Sequence, residues 1–202
     1  MIVGLTGGIA TGKSTVSALF RKLGAHIIDF DELAHMVIEP GRPAWREIIR
    51  QFGPAVLNPD QTVDRQKLGR IVFNHPDRLT GLNRIVHPAV FAADREITAG
   101  ILEKEPRALI IKDVPLLTET AAREMVEKVI VVYASPEVQM QRMLGRGFNR
   151  EEAQKRIDAQ DPLSEKLKFA DYVVYNDGSL EETERQVKEI YGRLQADAGR
   201  KA

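Results

Sequence analysis

The feature that most constrains this chain is a glycine-rich segment near its start, residues 7–14, with the sequence GGIATGKS. The segment fits the pattern G-x-x-x-x-G-K-[S/T] without a gap, follows an apolar run at residues 2–5, and precedes apolar residues at helical spacing. Glycine lets a backbone approach an anion closely, and a helix that begins here directs its unpaired N–H groups at that anion. The segment therefore predicts a phosphate-binding loop between a strand and a helix, against the alternative of an ordinary glycine-rich turn with an exposed lysine.

Most positions of this loop have a predicted contact with a bound nucleotide. Lys13 would reach the β- and γ-phosphate oxygens, the Ser14 hydroxyl is the predicted Mg²⁺ ligand, and Thr15 can donate to the α-phosphate. The other predicted nucleotide-binding residues act through the loop backbone: Gly8, Ala10, Thr11 and Gly12. We therefore expect a triphosphate along the loop and a magnesium ion beside its serine.

Five short apolar runs predict the strands of a parallel sheet. They lie at residues 2–5, 25–28, 108–111, 129–133 and 172–175. Several are rich in Val and Ile and do not alternate apolar with polar residues, as is typical of strands buried on both faces. Amphipathic helical patterns separate the runs, which indicates βαβ units and an α/β fold.

A long helical block separates the second run from the third. About seventy residues there contain no convincing strand, and apolar stripes predict several separate helices, one of them with Asp64 as a candidate N-cap. Within the block, His87-Pro88 is either a substrate contact or a turn that ends a helix. A helical insertion of this length between sheet strands predicts a substrate-binding subdomain.

Composition excludes several classes of function. The 29 Lys and Arg residues balance 29 Asp and Glu residues, so no bulk positive charge favours nucleic acid or a membrane surface. The absence of cysteine excludes disulfides, thiolate metal sites and a cysteine nucleophile. No apolar run approaches the roughly 18 residues of a membrane span, and the start is unlike a signal peptide. We expect a cytoplasmic protein that acts on a small molecule, with neither nucleic acid nor membrane as partner.

Other residues indicate which class of nucleotide-binding protein the sequence favours. The chain lacks the Asn-Lys-x-Asp element with which GTPases recognise guanine, and Asp113 is its one candidate for the acidic strand end of an ATPase motor. A helical insertion and four late arginines (142, 146, 150 and 156) favour phosphoryl transfer between bound small molecules instead. The alternative from another functional class is a nucleotide-dependent switch that binds a protein partner.

Several further segments resemble the dephospho-CoA kinase family. They are GLTGGIATGKST at 4–15, IIDFDELAH at 27–35, HPAV at 87–90, DVPLLTE at 113–119, RMLGRGFNREEAQKRIDAQ at 142–160 and ADYVVYNDGSLEE at 170–182. The match runs in order over nearly the whole chain, and Asp-x-Asp combined with HP and PLL is more selective than the phosphate loop.

The resemblance implies a single P-loop kinase-type domain, a three-layer α/β fold with a five-stranded parallel sheet. Its core would comprise residues 1–30, 106–135 and 171–198, with a helical CoA-substrate insertion at about 31–105 and a helical lid at about 136–165. The implied reaction moves the γ-phosphoryl group of ATP to the 3′-hydroxyl of dephospho-CoA. Another small-molecule or nucleoside monophosphate kinase is the alternative.

The resemblance also implies roles for individual side chains. Asp31 would be the catalytic base, and Arg146, together with Arg142, would reach the phosphates as the lid closes. A solvated helix acid is the alternative for Asp31, and a solvated face with Glu151, Glu152 and Asp158 as ion-pair partners is the alternative for the arginines. Ala10 stands where the family usually has Gly or Ser. This difference is harmless if the backbone at position 10 needs no positive φ.

Overall fold

The computed structural model describes residues 1–73, 75–114, 121–160 and 162–200, and these contain one five-stranded parallel sheet. The strands are β1 (Ile2–Gly7), β2 (His26–Asp29), β3 (Ile110–Asp113), β4 (Lys128–Tyr133) and β5 (Tyr172–Tyr175), in the order β2-β3-β1-β4-β5. The five predicted strands and their parallel arrangement are confirmed, with boundaries displaced by at most two residues. The order places β1 at the centre, so the phosphate loop leaves the middle of the sheet.

Helices connect the strands. They are α1 (Lys13–Lys22), α2 (Phe30–Met36), α3 (Pro43–Phe52), α4 (Arg65–Val72), α5 (Pro76–Lys104), α6 (Pro136–Gly145), α7 (Arg150–Asp158), α8 (Leu163–Leu167) and α9 (Leu180–Arg200), with short 3₁₀ helices at Pro54–Val56 and Ala121–Met125. Asp64 caps α4 by accepting a hydrogen bond from the backbone N–H of Lys67, as its position predicts. None of the described helices is both long and apolar enough to cross a membrane.

The chain divides into two compact units, residues 1–29 with 105–202, and residues 30–104. In the first unit the sheet supplies Leu5, Ile111 and Ile130, which pack with Phe20 of α1 and with apolar residues of α9. In the second unit Ile48 and Leu68 pack with apolar residues of the 3₁₀ helix and of α5. Each unit therefore has a hydrophobic core of its own.

The helix α5 corrects one expectation for the second unit. The prediction that His87-Pro88 can end a helix is wrong, because α5 is 29 residues long and continues through Pro88. Proline removes one backbone donor from a helix interior and disfavours its continuation. Since α5 packs against α2, α3 and α4, tertiary contacts along its length outweigh this local cost. The two apolar stripes on either side of Pro88 belong to one element.

Candidate active site

The phosphate loop is held in its conformation by backbone and side-chain hydrogen bonds. Gly12 precedes α1 with φ +89° and ψ +23°, in the left-handed region, and its carbonyl accepts from the N–H groups of Thr15 (3.0 Å) and Val16 (3.2 Å). The buried Thr11 hydroxyl donates to the Gly8 carbonyl at 2.9 Å. A Cβ at Gly12 would overlap the amide nitrogen of Asn176. Glycine is therefore required at position 12 for both its φ and its lack of a side chain.

Ala10 departs from the sequence expectation. Its φ is +57°, so the premise that its backbone needs no positive φ is wrong. An L-residue pays about 1–2 kcal/mol for this region. The methyl group is buried and packs with Met140 and Met143 of α6, and burial of one such carbon returns about 0.8 kcal/mol. Packing against α6 thus offsets part of the backbone strain.

Arg142 and Asn176 bind the outer side of the loop. The Arg142 guanidinium donates to the carbonyls of Ala10 and Thr11, each at 3.1 Å, and to the carbonyl of Asn176 at 2.7 Å. The Asn176 side chain donates to the Thr11 carbonyl at 2.7 Å. In a trans peptide the carbonyl and the following N–H point in opposite directions. The Gly12 N–H consequently points away from these two side chains, as a phosphate ligand on the inner side requires.

Lys13 forms an ion pair with Asp113, the last residue of β3. The Asp113 side chain is 4% exposed and that of Lys13 is 19% exposed. Burial raises the pKa of Asp113, the charge and hydrogen bond of Lys13 oppose this rise, and the charge of Asp29 adds to it. Asp29 ends β2 directly opposite Asp113 in the sheet register. Two carboxylates and the loop lysine therefore share the carboxyl edge of the sheet, where α/β proteins bind ligands.

Gln160 is a contact that the sequence reasoning missed. Its side-chain oxygen accepts a hydrogen bond from the Ile9 N–H of the loop at 2.7 Å. Gln160 also lines a cleft of about 590 Å³ with Gly8, Tyr133 and Leu163. The neutral amide oxygen of Gln160 therefore accepts a hydrogen bond from a loop N–H group of the kind that donates to phosphate oxygens. The residue follows the last arginine of the cluster by four positions, but no spacing rule marks a glutamine for this contact.

Three of the four late arginines, Arg142, Arg146 and Arg156, have distinct environments. Arg142 is half-buried under the loop, whereas Arg146, at the end of α6, is exposed. Arg156 stacks on the Phe148 ring at 4.7 Å. The acids that could pair with the arginines bind elsewhere in the described part of this region: Glu151 pairs with Lys155, Glu152 caps α7 with Asn149, and Asp158 accepts from Gln154. The solvated ion-paired face is thus not the arrangement found for these acids.

Asp31 belongs to the second unit. It is the second residue of α2, which begins directly after β2, and its side chain is exposed. Ser14 and Thr15, in the first turn of α1, are also exposed. The PLL residues of the resemblance, 115–117, lie outside the described residues. The catalytic and binding roles assigned from sequence stay predictions.

The chemistry of the loop suits a magnesium ion bound with a nucleotide. The Ser14 hydroxyl and the Asp113 carboxylate are oxygen donors of the type that Mg²⁺ prefers. Within the described residues no group of three or more His, Asp or Glu side chains could hold a metal ion. Mg²⁺ in phosphoryl-transfer sites is commonly held by one or two protein oxygens, by substrate phosphates and by water, and the donors present fit that mode.

Comparison with known proteins gives a consistent result over nearly the whole chain. Residues 1–182 match the sequence profile of a family described as dephospho-CoA kinase. A dephospho-CoA kinase of Geobacillus kaustophilus is 47% identical over 194 residues, which cover 94% of each chain. Among solved structures, TT1252 from Thermus thermophilus has a TM-score of 0.80 at 36% identity, covering 96% of this chain and 97% of that one. A dephospho-CoA kinase from Campylobacter jejuni has a TM-score of 0.65 at 30% identity, with 96% of each chain covered.

Proposed function

The chain belongs to the dephospho-CoA kinase family, and on that premise we propose how its own residues carry out the reaction. The enzyme transfers the γ-phosphoryl group of ATP to the 3′-hydroxyl of the dephospho-CoA ribose, which gives CoA and ADP and completes coenzyme A biosynthesis. The observation that carries this function is the family match over residues 1–182. The binding of ATP with Mg²⁺ at the loop is the finer part of the proposal.

The donor side of the site is the phosphate loop. Its inner N–H groups and the N-terminus of α1 bind the phosphates, and the Lys13 ammonium exchanges part of its interaction with Asp113 for the β- and γ-oxygens. The proposed Mg²⁺ ligand is Ser14, and Asp113 is either a second ligand through water or a purely structural acid. When bound, Mg²⁺ neutralises charge on the β- and γ-phosphate oxygens.

The acceptor side is assigned to Asp31 in the second unit. Its carboxylate orients the 3′-hydroxyl and accepts its proton as the oxygen attacks the γ-phosphorus in line with the departing ADP oxygen. The exposed Arg146 supplies positive charge to the transferring group, and the segment that carries it, about 136–165, is the proposed lid. Arg142 donates hydrogen bonds to two loop carbonyls. Its proposed contact with the phosphates would use the guanidinium N–H groups that do not bind these carbonyls.

An acceptor screen tests the function. Release of ADP is measured with ATP, Mg²⁺ and, in separate reactions, dephospho-CoA, AMP, CMP or shikimate. We expect dephospho-CoA to give the largest kcat/KM by orders of magnitude. A larger value with a nucleoside monophosphate would support the alternative kinase, and maximal ATP hydrolysis without any acceptor would support a nucleotide switch. A cytoplasmic location, expected from sequence, stays a prediction.

A further inference from the structure

A basic site in the second unit lies close to the proposed catalytic base. Arg65, the first residue of α4, donates a hydrogen bond through its guanidinium to the Nε2 atom of His35 on α2. The imidazole must be neutral to accept this bond, so Arg65 carries the positive charge of the pair. Both side chains are exposed, and both line a cleft of about 470 Å³ together with Ile38, Asn58, Thr62 and Asp64.

The carboxylates around this cleft are already bound to other groups. Asp64 accepts the backbone N–H of Lys67 and pairs with its ammonium at 3.2 Å, and Glu39 pairs with Arg42 at 3.6 Å. Among the residues that the structure describes in this unit, no carboxylate forms an ion pair with Arg65. The Arg65 guanidinium, which binds a neutral imidazole at the edge of the cleft, keeps further N–H groups that can donate to an anion. The planar arrangement of these N–H groups fits phosphate oxygens.

The spacing along α2 relates this arginine to the acceptor. Asp31 and His35 are four residues apart on one helix, so their side chains lie on the same face with an axial separation of about 6 Å. In dephospho-CoA the ribose that carries the 3′-hydroxyl also carries a 5′-diphosphate, joined through one CH₂–O bridge. The diphosphate therefore lies a few ångströms from the hydroxyl, which is the scale of one helical turn.

We propose that Arg65, held by His35, binds the 5′-diphosphate of the acceptor while Asp31 binds its 3′-hydroxyl, and that this contact selects a ribose with a 5′-diphosphate. The inference rests on the proposed function, since it takes Asp31 as the base. In it Arg65 is a specificity-determining residue and His35 is a positioning residue. The two recognised groups of the acceptor then lie along one face of α2.

The test compares Arg65→Gln with Arg70→Gln, an exposed arginine further along the same helix that does not line the cleft. Steady-state kinetics are measured with dephospho-CoA and with adenosine, which has the hydroxyl but no phosphate. We expect Arg65→Gln to raise KM for dephospho-CoA about 10- to 100-fold, or about 1.4–2.8 kcal/mol, with KM for ATP unchanged. Its kcat/KM for adenosine should equal the wild-type value, and Arg70→Gln should change neither acceptor.

Two results would overturn the inference: an unchanged KM for dephospho-CoA in Arg65→Gln, or an equal loss of kcat/KM for both acceptors. If the glutamine variant does not fold, Arg65→Lys serves, because it keeps the charge but lacks the planar fork; a wild-type KM in that variant would overturn the inference as well. Failure of the proposed function is separable, since the wild-type enzyme would then not phosphorylate dephospho-CoA at all.

Discussion

Replacement of Lys13 by methionine tests the electrostatics of the phosphate loop. The change keeps the apolar stem of the side chain and removes the charge that faces the Asp113 carboxylate. Loss of one partner from a buried ion pair costs about 3–5 kcal/mol. Because Lys13 is 19% exposed and a buried carboxyl can bind a proton instead of staying charged, we expect a loss at or below the lower end of that range, about 2–3 kcal/mol at neutral pH.

The pH dependence of stability gives the second signature of this pair. Burial already raises the pKa of Asp113 in the folded chain, and the methionine variant loses the two Lys13 interactions that oppose the rise. The folded state then binds more protons than the unfolded state, so the free energy of unfolding falls as pH rises above the unfolded pKa. The slope reaches at most about 1.4 kcal/mol per pH unit for one proton. In Lys13→Met this decline should extend to higher pH than in the wild-type chain.

Denaturant unfolding between pH 4 and pH 8 measures both effects. Lys22→Met, at the exposed end of α1, is the matched control and should change stability by less than about 0.5 kcal/mol. In Lys13→Met/Asp113→Asn the extended decline should disappear, because no titrating group remains at the pair. Equal stability of Lys13→Met and wild type at pH 7, with parallel pH profiles, would refute the reasoning.

Three further predictions concern other parts of the site. Asp31→Asn should lower kcat about 10²- to 10⁴-fold with little change in KM for ATP, and a wild-type kcat in steady-state assays would remove Asp31 as the base. Gly12→Ala should lower the free energy of unfolding by at least about 1–2 kcal/mol, because of its φ of +89° and the overlap with Asn176; wild-type stability in urea titrations would contradict this. Chelation of Mg²⁺ with EDTA should abolish ADP release and added Mg²⁺ should restore it, whereas turnover in EDTA would exclude the metal from the reaction.

The sheet and the loop were predictable because their signals are local. Short Val- and Ile-rich runs between helical patterns predict parallel strands without knowledge of tertiary contacts. The loop pattern, with Gly12 before Lys13 and Ser14, specifies both a turn and a helix start. Asp64 and Asn149 are N-caps with side-chain bonds in the structure, and the cap at Asp64 was predictable from its place before an apolar stripe.

The remaining features depend on contacts between residues distant in sequence. The hydrogen bond from Ile9 to Gln160 spans 151 positions, and no periodicity encodes it. The positive φ of Ala10 is offset in part by its packing on α6, and the continuity of α5 through Pro88 is supported by three neighbouring helices. The burial of Asp113, which makes the loss of Lys13 costly for folding, is a property of the assembled sheet and has no signal in the sequence.

Phosphorus NMR of the product tests the central claim most directly. After reaction of ATP and dephospho-CoA with the wild-type enzyme, the spectrum should show a new phosphomonoester resonance coupled to the ribose H3′ proton, formed in equal amount to ADP. The same reaction with Asp31→Asn should form this product far more slowly. Coupling of the new phosphate to H2′, or ADP release without any new phosphomonoester, would contradict the account.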